Sequence, residues 1–308
     1  MVGAVDCGAN SVHLLVAVVA GHRLEPLVDE SVFLGLGGAA DRGLLGEDAG
    51  GALVAALVGY AATARRLGAT AIVAVGTDPL RRAADAARVV RDVERAAGLA
   101  LHVLSHEEEA FLTLLGVTGG RRVMTETAVV DVGGGSSEMV LVGPGREARA
   151  FGLPVGGARL TDLLVTADPP TDAEVASLRQ AAREQLALAP DASPHELVAV
   201  GGTASNLLRV LPAASLDRTL TRRRLADAMA VLRAEPAAVA SERHAINPIR
   251  ARILPAGAAI LEAILGRYGL VRLHVSEAGI REGAVLAVSH AGPAWRDRLG
   301  PLVHGWLR

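Results

Sequence analysis

Two short segments of the chain place a carboxylate beside glycine and hydroxyl residues. Residues 5–11 read Val-Asp-Cys-Gly-Ala-Asn-Ser, and residues 130–136 read Val-Asp-Val-Gly-Gly-Gly-Ser at a constant offset of 125. Each segment joins the end of one predicted strand to the start of the next. Such a turn presents several backbone N–H groups beside a carboxylate that can bind a divalent cation. We therefore predict that both turns bind phosphate together with a metal ion.

Two further glycine-containing segments add to this pattern. Gly201-Gly202-Thr203 follows a predicted strand and precedes a predicted helix, an arrangement that binds anions at the helix N-terminus, and residues 279–283 read Gly-Ile-Arg-Glu-Gly. One such turn alone is more often a simple hairpin, because glycine and aspartate are common in all turns. Four in one chain, two of them related by a repeat, favour a phosphate site.

Charged residues near two other predicted elements extend the candidate site. Residues 106–109, His-Glu-Glu-Glu, begin a predicted helix. Acidic residues there stabilise the helix dipole, but one of them could instead act as a general base on water, and the sequence leaves both interpretations open. In residues 76–82, Thr77 or Asp78 can cap a helix, while Arg81 or Arg82 can supply a guanidinium to a phosphoryl group. Residues 222–224, three arginines, are interpreted as a solvated helix start.

Composition narrows the chemistry. The 308 residues include no lysine, so all 31 basic side chains are arginine. Phosphate must then be neutralised by arginine, backbone N–H groups, helix N-termini or a metal. The lack of lysine excludes a Walker lysine and Schiff-base chemistry.

A net charge of −2 and seven aromatic residues argue against nucleic-acid binding. No apolar run reaches the ~20 residues of a membrane span. The single cysteine, Cys7, and the lack of a signal-peptide pattern predict a cytoplasmic location.

The elements that must position these residues repeat along the chain. Each half is predicted to contain three strands followed by alternating helices and strands, an α/β pattern that together with the shared letters indicates duplication. We predict one domain over residues 1–120 and a second over 121–308, with a helical insertion at 222–266 and a last helix that can pack back on the first domain. Ligand is expected in the cleft between them. Predicted strands are residues 2–6, 12–19, 24–34, 70–75, 100–104, 127–131, 138–142, 146–153, 197–200 and 271–276; predicted helices are 47–67, 79–97, 106–116, 172–188, 203–211 and one from about 280.

Taken together and in order, these motifs resemble those of the exopolyphosphatase/guanosine pentaphosphate phosphatase (Ppx/GppA) family, within the actin, Hsp70 and sugar-kinase superfamily. The resemblance covers about residues 2–290 and includes Leu-Pro-Val-Gly at 153–156 and Ala-Gly-Ala-Ala-Ile-Leu at 256–261. It implies two ribonuclease-H-like domains facing across an active-site cleft. It also implies removal of terminal phosphate from inorganic polyphosphate or from guanosine pentaphosphate (pppGpp), with Mg²⁺, or alternatively Mn²⁺, as cofactor.

The resemblance also implies roles for individual residues. Glu109 falls at the position of the family's general base, and Arg81 at that of its arginine. Asp131 and Glu138 match the family's metal and phosphate carboxylates, and Asp6 is expected beside them as a third metal ligand. The residues expected to bind phosphate are Asn10, Ser11, Gly133, Gly134, Gly135, Ser136, Gly201, Gly202 and Thr203.

Three positions depart from the family pattern, and two other functions stay open. Ala9 replaces a threonine, Phe111 a common arginine and Pro79 a small residue, which leaves the chain-length preference open; the lack of an extended basic tract favours short polyphosphate. A phosphotransferase of the same superfamily and a weakly catalytic sensor of alarmone or polyphosphate are the alternatives. Expected partners are the phosphate substrate and, as one option, a second copy in a homodimer, but no nucleic acid and no membrane.

Overall fold

The computed structural model describes residues 1–21 and 23–305. The chain divides into two compact units, the first formed by Met1–Arg122 together with the segment that begins at Ala278, and the second by Val123–Glu277. The sequence predicts a boundary at residues 120/121 and a last helix that can pack back on the first domain; in the structure the segment from Ala278 groups with the first unit. In the described part of the chain, no helix has the length and apolar character needed to cross a bilayer.

The first unit is built on a five-stranded mixed sheet in the order β3-β2-β1-β4-β5. β1, β2 and β3 are antiparallel neighbours, and β4 and β5 continue the sheet in parallel from β1. The strands are β1 Val2–Cys7, β2 Ser11–Ala20, β3 Arg23–Phe33, β4 Ala71–Gly76 and β5 Leu101–Val103; the helices up to residue 122 are α1 Leu36–Asp41, α2 Gly46–Arg66, α3 Asp78–Arg82, α4 Ala86–Ala97 and α5 His106–Thr118.

The second unit contains a six-stranded sheet in the order β10-β11-β9-β6-β7-β8. Its strands are β6 Thr127–Val132, β7 Ser137–Val142, β8 Arg149–Leu153, β9 Glu196–Val200, β10 Thr219–Thr221 and β11 Arg272–Val275. Its helices are α6 Gly157–Leu164, α7 Asp172–Leu186, α8 Gly201–Val210, α9 Pro212–Ser215, α10 Arg222–Arg233, α11 Ala237–His244 and α12 Pro248–Arg267.

The two sheets share one topology. In each, three antiparallel strands are followed by two strands that add in parallel on the side of the first, and β10 is the one extra strand among the described residues. The repeat extends to single hydrogen bonds: Gly8 N–H donates to Ser11 O over 3.1 Å, and Gly133 N–H donates to Ser136 O over 3.0 Å, again 125 residues later. The predicted fold class, two duplicated ribonuclease-H-like α/β domains, is confirmed.

Several predicted helices are interrupted. The block predicted at 222–266 forms three helices: α10 ends at Arg233, α11 starts after Pro236 and ends at His244 with Ala245 in a left-handed conformation, and α12 starts at Pro248, where the missing N–H of proline costs no helix hydrogen bond. The helix predicted at 79–97 forms α3 and α4, with Ala83 in an extended conformation between them. Of the elements that were not predicted, β10 has three residues, too few to show an alternating pattern.

The returning C-terminal segment packs closely on α5. It contains α13 Ile280–Ala291, two short 3-10 turns and α14 Leu299–Val303. A Cβ atom on Gly283 would lie 1.8 Å from the carbonyl oxygen of Leu112, and one on Gly116 would lie 2.0 Å from that of Gly279. Only glycine allows the two helix backbones this approach. Gly283, in the fourth glycine motif, therefore serves helix packing.

Candidate functional site

A buried ion pair stands at the start of α5 in the first unit. Arg81 Nη1 lies 2.5 Å from Glu109 Oε2, and the two side chains are 14% and 9% exposed. Arg81 Nη1 also donates to the carbonyl oxygen of Leu104 over 3.0 Å. Arg81 comes from α3, which follows β4, and Glu109 from the first turn of α5, which follows β5, so neighbouring parallel strands bring the two helix starts together.

The three consecutive glutamates have three different environments. Glu107 is exposed. Glu108 completes a capping box with Ser105 and accepts hydrogen bonds from Arg296 over 2.8 and 2.9 Å, so it stabilises the helix start. Glu109 is 7% exposed and faces Arg81. The structural interpretation therefore holds for Glu108, and Glu109 is the one of the three that pairs with Arg81.

His106 contacts the same guanidinium. Its Nδ1 atom lies 3.2 Å from Arg81 Nη2. Burial lowers the pKa of His106, and the positive charge of Arg81 lowers it further. A neutral imidazole at neutral pH can accept a hydrogen bond from Arg81 through Nδ1, which helps to hold the guanidinium in place.

The neighbouring arginine has a structural role. Arg82 donates to Asp78 through Nε at 2.9 Å and to Asp41 through Nη1 at 2.6 Å, so it links α3 to the end of α1. Thr77 directs its hydroxyl to the carbonyl oxygen of Cys7, 3.3 Å away, and makes no side-chain cap. Of the two arginines that the sequence left open, Arg81 is the one beside Glu109.

The first glycine turn connects β1 to β2. Asp6 pairs with His13 across these strands, and Ser11 is buried. The carbonyl oxygen of Asn10 accepts the N–H groups of Leu34 and Gly35 over 3.0 and 2.9 Å, so the turn is held against the approach to α1. Asp6 also interacts electrostatically with Arg281 of α13. Cys7 is completely buried, and burial, followed by the Asp6 charge, raises the pKa of its thiol, as expected of a packing residue.

The second glycine turn connects β6 to β7 and is braced by α6. Gly157 N–H donates to Gly133 O over 2.9 Å, and Arg159 N–H donates to Gly134 O over 3.0 Å. Ser136 Oγ donates to Glu138 Oε1 over 2.7 Å. The turn has a fixed backbone, as a phosphate-binding loop requires.

Asp131 and Glu138 face one another across β6 and β7. They are direct partners in the antiparallel register, so their side chains project from the same face with Cβ atoms about 5 Å apart. Asp6 belongs to the first unit and these two carboxylates to the second. Among residues 1–21 and 23–305, no group of three or more His, Cys, Asp or Glu side chains is arranged to hold a metal.

Two carboxylates on one face nevertheless suit a hard cation. Mg²⁺ is commonly held by one or two carboxylates, with water and substrate phosphate as the other ligands. Burial raises the pKa of Asp131 to about 6, and the charge of Arg250 opposes that rise. A carboxylate with this raised pKa gains from a bound cation, because the cation offsets the cost of ionisation. The donor set therefore fits Mg²⁺ or Mn²⁺.

The third glycine turn begins α8 beside Asp131. Gly201 has a φ of +80°, and a Cβ atom on it would lie 2.4 Å from Asp131 Oδ1. Thr203 Oγ1 donates to the carbonyl oxygen of Val132 over 2.7 Å. Because this hydroxyl is engaged inside the protein, the groups that α8 offers to an anion are its first backbone N–H groups, which have no partners within the helix.

The structure adds one residue that sequence reasoning missed. Arg250 lies at the start of α12, and a Cβ atom on Gly202 would come within 1.8 Å of its Nη1 atom. Arg250 therefore lies against the turn that begins α8. It stands within Asn-Pro-Ile-Arg-Ala-Arg, where the helix-start signal is visible but nothing distinguishes it from Arg252. Arg252 instead donates to the carbonyl oxygens of Ala167 and Val165.

A second correspondence between the units involves two threonines. Thr77 Oγ1 donates to Cys7 O and Thr203 Oγ1 donates to Val132 O. Both acceptors precede the glycine turn of their unit. Thr77 follows Gly76, the last residue of β4, and Thr203 follows Gly202 in the first turn of α8, directly after β9. The duplication thus includes the segments 76–77 and 202–203 as well as the two turns recognised from sequence.

Known proteins resemble this chain in amino-acid sequence and in fold. The sequence model of the Ppx/GppA phosphatase family matches residues 15–291. Exopolyphosphatase 1 of Mycobacterium tuberculosis strain H37Rv is 30% identical over 305 residues, covering 92% of this chain and 87% of that protein. Exopolyphosphatase 2 of the same strain is 31% identical over 316 residues, covering 94% and 98%. The crystal structure of the Aquifex aeolicus Ppx/GppA family member has a TM-score of 0.81, 26% identity, and coverage of 95% and 98%. This chain belongs to the Ppx/GppA phosphatase family.

Proposed function

We propose that this protein is a metal-dependent phosphohydrolase that releases the terminal phosphate of inorganic polyphosphate. The observation that carries the proposal is the buried ion pair between the guanidinium of Arg81 and the carboxylate of Glu109, whose nearest atoms lie 2.5 Å apart. Two relatives of at least 30% identity that match nearly the whole chain are named exopolyphosphatases, which supports polyphosphate as the substrate.

The reaction is in-line attack of water on the terminal phosphorus. The water oxygen forms a bond to phosphorus while the bond to the bridging oxygen breaks, and the shortened chain leaves with that oxygen and its electron pair. Glu109 accepts the proton of the attacking water. Arg81 orients the Glu109 carboxylate and provides positive charge beside it. The product is inorganic phosphate.

Phosphate and metal are proposed to be bound mainly by groups of the second unit. Asp131 and Glu138 would hold Mg²⁺, which when bound offsets negative charge on phosphate oxygens; Asp6 is proposed as a further carboxylate for the metal. Backbone N–H groups of the turns at 133–136 and 201–203 are proposed to bind phosphate oxygens, with Asn10 and Ser11 doing so in the first unit. Arg250 adds a guanidinium next to Gly202.

We propose short polyphosphates as the preferred substrates and pppGpp as a second substrate. The proposed location of the protein is a reducing cytoplasm. The decisive assay measures phosphate release from polyphosphates of graded length and from pppGpp, each with Mg²⁺, with Mn²⁺ and with chelator. We expect metal-dependent release that is fastest for short chains. Transfer of label from ATP to an alcohol without free phosphate would instead identify a phosphotransferase, and tight binding without hydrolysis under every metal would identify a sensor. Light scattering measures the molar mass in solution and tests whether the protein forms a homodimer.

A further inference from the structure

An arginine-lined groove lies in the second unit, between helices α7 and α12. It encloses about 730 Å³, within the range of small-molecule sites. Four arginines and one glutamate supply its charged side chains, and its other lining residues are small or apolar. The charged residues are Arg179, Arg183, Arg222, Arg267 and Glu262; the others are Leu186, Ala187, Ala259, Ala263 and Gly266.

Two of the four guanidinium groups pair with carboxylates, and two do not. Glu262 is neutralised by Arg179, which donates to it through Nε and Nη2 over 2.7 and 3.0 Å. Arg222 donates to the carbonyl oxygens of Leu265 and Leu270, each over 2.9 Å. Carbonyl acceptors fix the position of a guanidinium without cancelling its charge. Since Arg267 also pairs with a carboxylate, that of Asp191, the groove has two arginines, Arg183 and Arg222, whose charge no carboxylate of the described residues offsets.

The remaining two arginines differ in how they are held. Arg267 donates to the carbonyl oxygen of Ala189 over 2.7 Å and to the exposed Asp191 over 2.5 Å. Arg183 is exposed, and its side chain donates no hydrogen bond to any acceptor within residues 1–21 and 23–305. The groove thus combines fixed guanidinium groups with one that can close onto a ligand.

The groove is separate from the phosphate-binding residues proposed in the same unit. Both lie along α12, with Arg250 in its first turn and Glu262 twelve residues later. A rise of 1.5 Å per residue places these positions about 18 Å apart along the helix. A ligand in the groove would therefore be a second ligand.

We propose that this groove binds a phosphorylated organic molecule of nucleoside-diphosphate size. Planar guanidinium groups bind phosphate through paired hydrogen bonds, and several of them together favour at least two phosphate groups. The alanine, leucine and glycine surface offers contact to an apolar ring, and the volume exceeds what a bare diphosphate fills. The proposal does not depend on the catalytic proposal, since it concerns binding to other residues.

Arginine footprinting tests the assignment at single residues. Phenylglyoxal reacts with exposed arginines, and mass spectrometry of the digested full chain reports the extent at each position. ADP is the probe, with adenosine and pyrophosphate as comparisons. We expect ADP to protect Arg183 and to leave unchanged the modification of Arg223, whose side chain is 91% exposed on the neighbouring helix α10. Pyrophosphate should protect Arg183 only at higher concentration, and adenosine should not protect it.

Substitutions supply the second test. Arg183→Glu should weaken ADP binding measured by calorimetry about tenfold or more, because it replaces a charge-assisted donor with a repelling carboxylate. The matched Arg223→Glu variant should bind ADP as the original protein does, and both should retain phosphate release. Any one of four results would overturn the proposal. In the footprinting assay these are no protection of Arg183 by ADP, protection by adenosine equal to that by ADP, or pyrophosphate as potent as ADP. In calorimetry it is equal ADP affinity of the two variants.

Discussion

Arg81 and Glu109 form a buried ion pair whose nearest atoms, Nη1 and Oε2, lie 2.5 Å apart. A carboxylate held in this way has a fixed orientation. The predictions for this pair follow from separating the chemistry of the carboxylate from the orientation that the arginine provides.

Glu109→Gln should slow phosphate release by about 100-fold to 10,000-fold, because an amide of the same shape cannot accept the proton of water. Binding of polyphosphate should persist, since no phosphate-binding group is removed. Single-turnover phosphate release and equilibrium binding measure the two effects separately. Glu107→Gln, on the exposed neighbour, is the matched control, and a Glu109→Gln enzyme with normal turnover would exclude the general-base role.

Arg81→Ala should lower kcat by about 100-fold, because a small displacement of a catalytic carboxylate costs this much. Arg81→Lys should recover part of the loss, since it restores charge without the planar contacts to Glu109, Leu104 and His106. Steady-state kinetics with short polyphosphate measures kcat and KM for both. The same kcat in the alanine and lysine variants would contradict a role for the charge at this position.

Asp131 should make stability depend on pH in metal-free protein. Its pKa is raised from 3.8 to about 6 in the folded state, so the unfolded chain loses this proton first as pH rises. Stability therefore falls between about pH 4 and pH 6. Asp131→Asn removes this dependence and should gain up to about 3 kcal/mol at pH 7.5 over the original protein. Urea unfolding with chelator at pH 4 and pH 7.5 measures it, with Asp227→Asn as a surface control in the same unit; an equal pH dependence in the Asp131→Asn protein would contradict the prediction.

Adding Mg²⁺ should reverse the order of stability of the original protein and the Asp131→Asn variant. If Asp131 and Glu138 hold Mg²⁺, the ion stabilises the original protein by mass action and raises its melting temperature. The Asp131→Asn protein should show little shift at the same concentration, and chelator should abolish phosphate release by the original protein. Thermal melts across a Mg²⁺ titration check this without reference to turnover. Identical shifts in the two proteins would remove Asp131 from the metal site.

Helix packing in the first unit gives a prediction unrelated to catalysis. Gly283→Ala places a methyl group where only 1.8 Å separates it from the Leu112 carbonyl oxygen, so we expect a loss of about 1–3 kcal/mol or more. Gly59→Ala, in the middle of α2 with nothing within 4 Å of the new atom, should instead stabilise by about 0.5–1 kcal/mol. Chemical denaturation of both variants measures the contrast. Equal stability of the two would show that α13 can move away from α5.

The duplicated fold was accessible to sequence reasoning because its signals are local. The strand-turn-strand segments at 5–11 and 130–136 contain matching residues, and the apolar runs on either side of them indicate strands. Pro236 and Pro248 stand at the starts of α11 and α12, but the long helical pattern around them predicts a single helical block. Glu109 was distinguished from its neighbours by the family resemblance alone, since helix periodicity does not show which carboxylate faces a guanidinium.

The parts that escaped prediction depend on long-range packing. Arg81 and Arg82 are adjacent and chemically identical, so the residue pattern alone does not choose between them, although the family resemblance selects Arg81. In the structure the placement of β5 and α1 pairs Arg81 with Glu109 and Arg82 with Asp41. Arg250 meets Gly202 from a helix that begins nearly fifty residues later in the chain. The sequence predicts that the last helix can return to the first domain, but no turn or cap signal in it points to Gly116 and Gly283 as the residues that let α13 approach α5.

The return of α13 has a consequence for how the polypeptide matures on the ribosome. The second unit is contiguous, so it can fold once residue 277 has emerged. The first unit is made earlier but is finished later, because the apolar side of α5, including Leu112 and Leu115, receives its cover only when Ala284 and Val285 arrive. During synthesis the N-terminal half therefore carries an uncovered patch, and that interval is when chaperone binding is most useful to this chain.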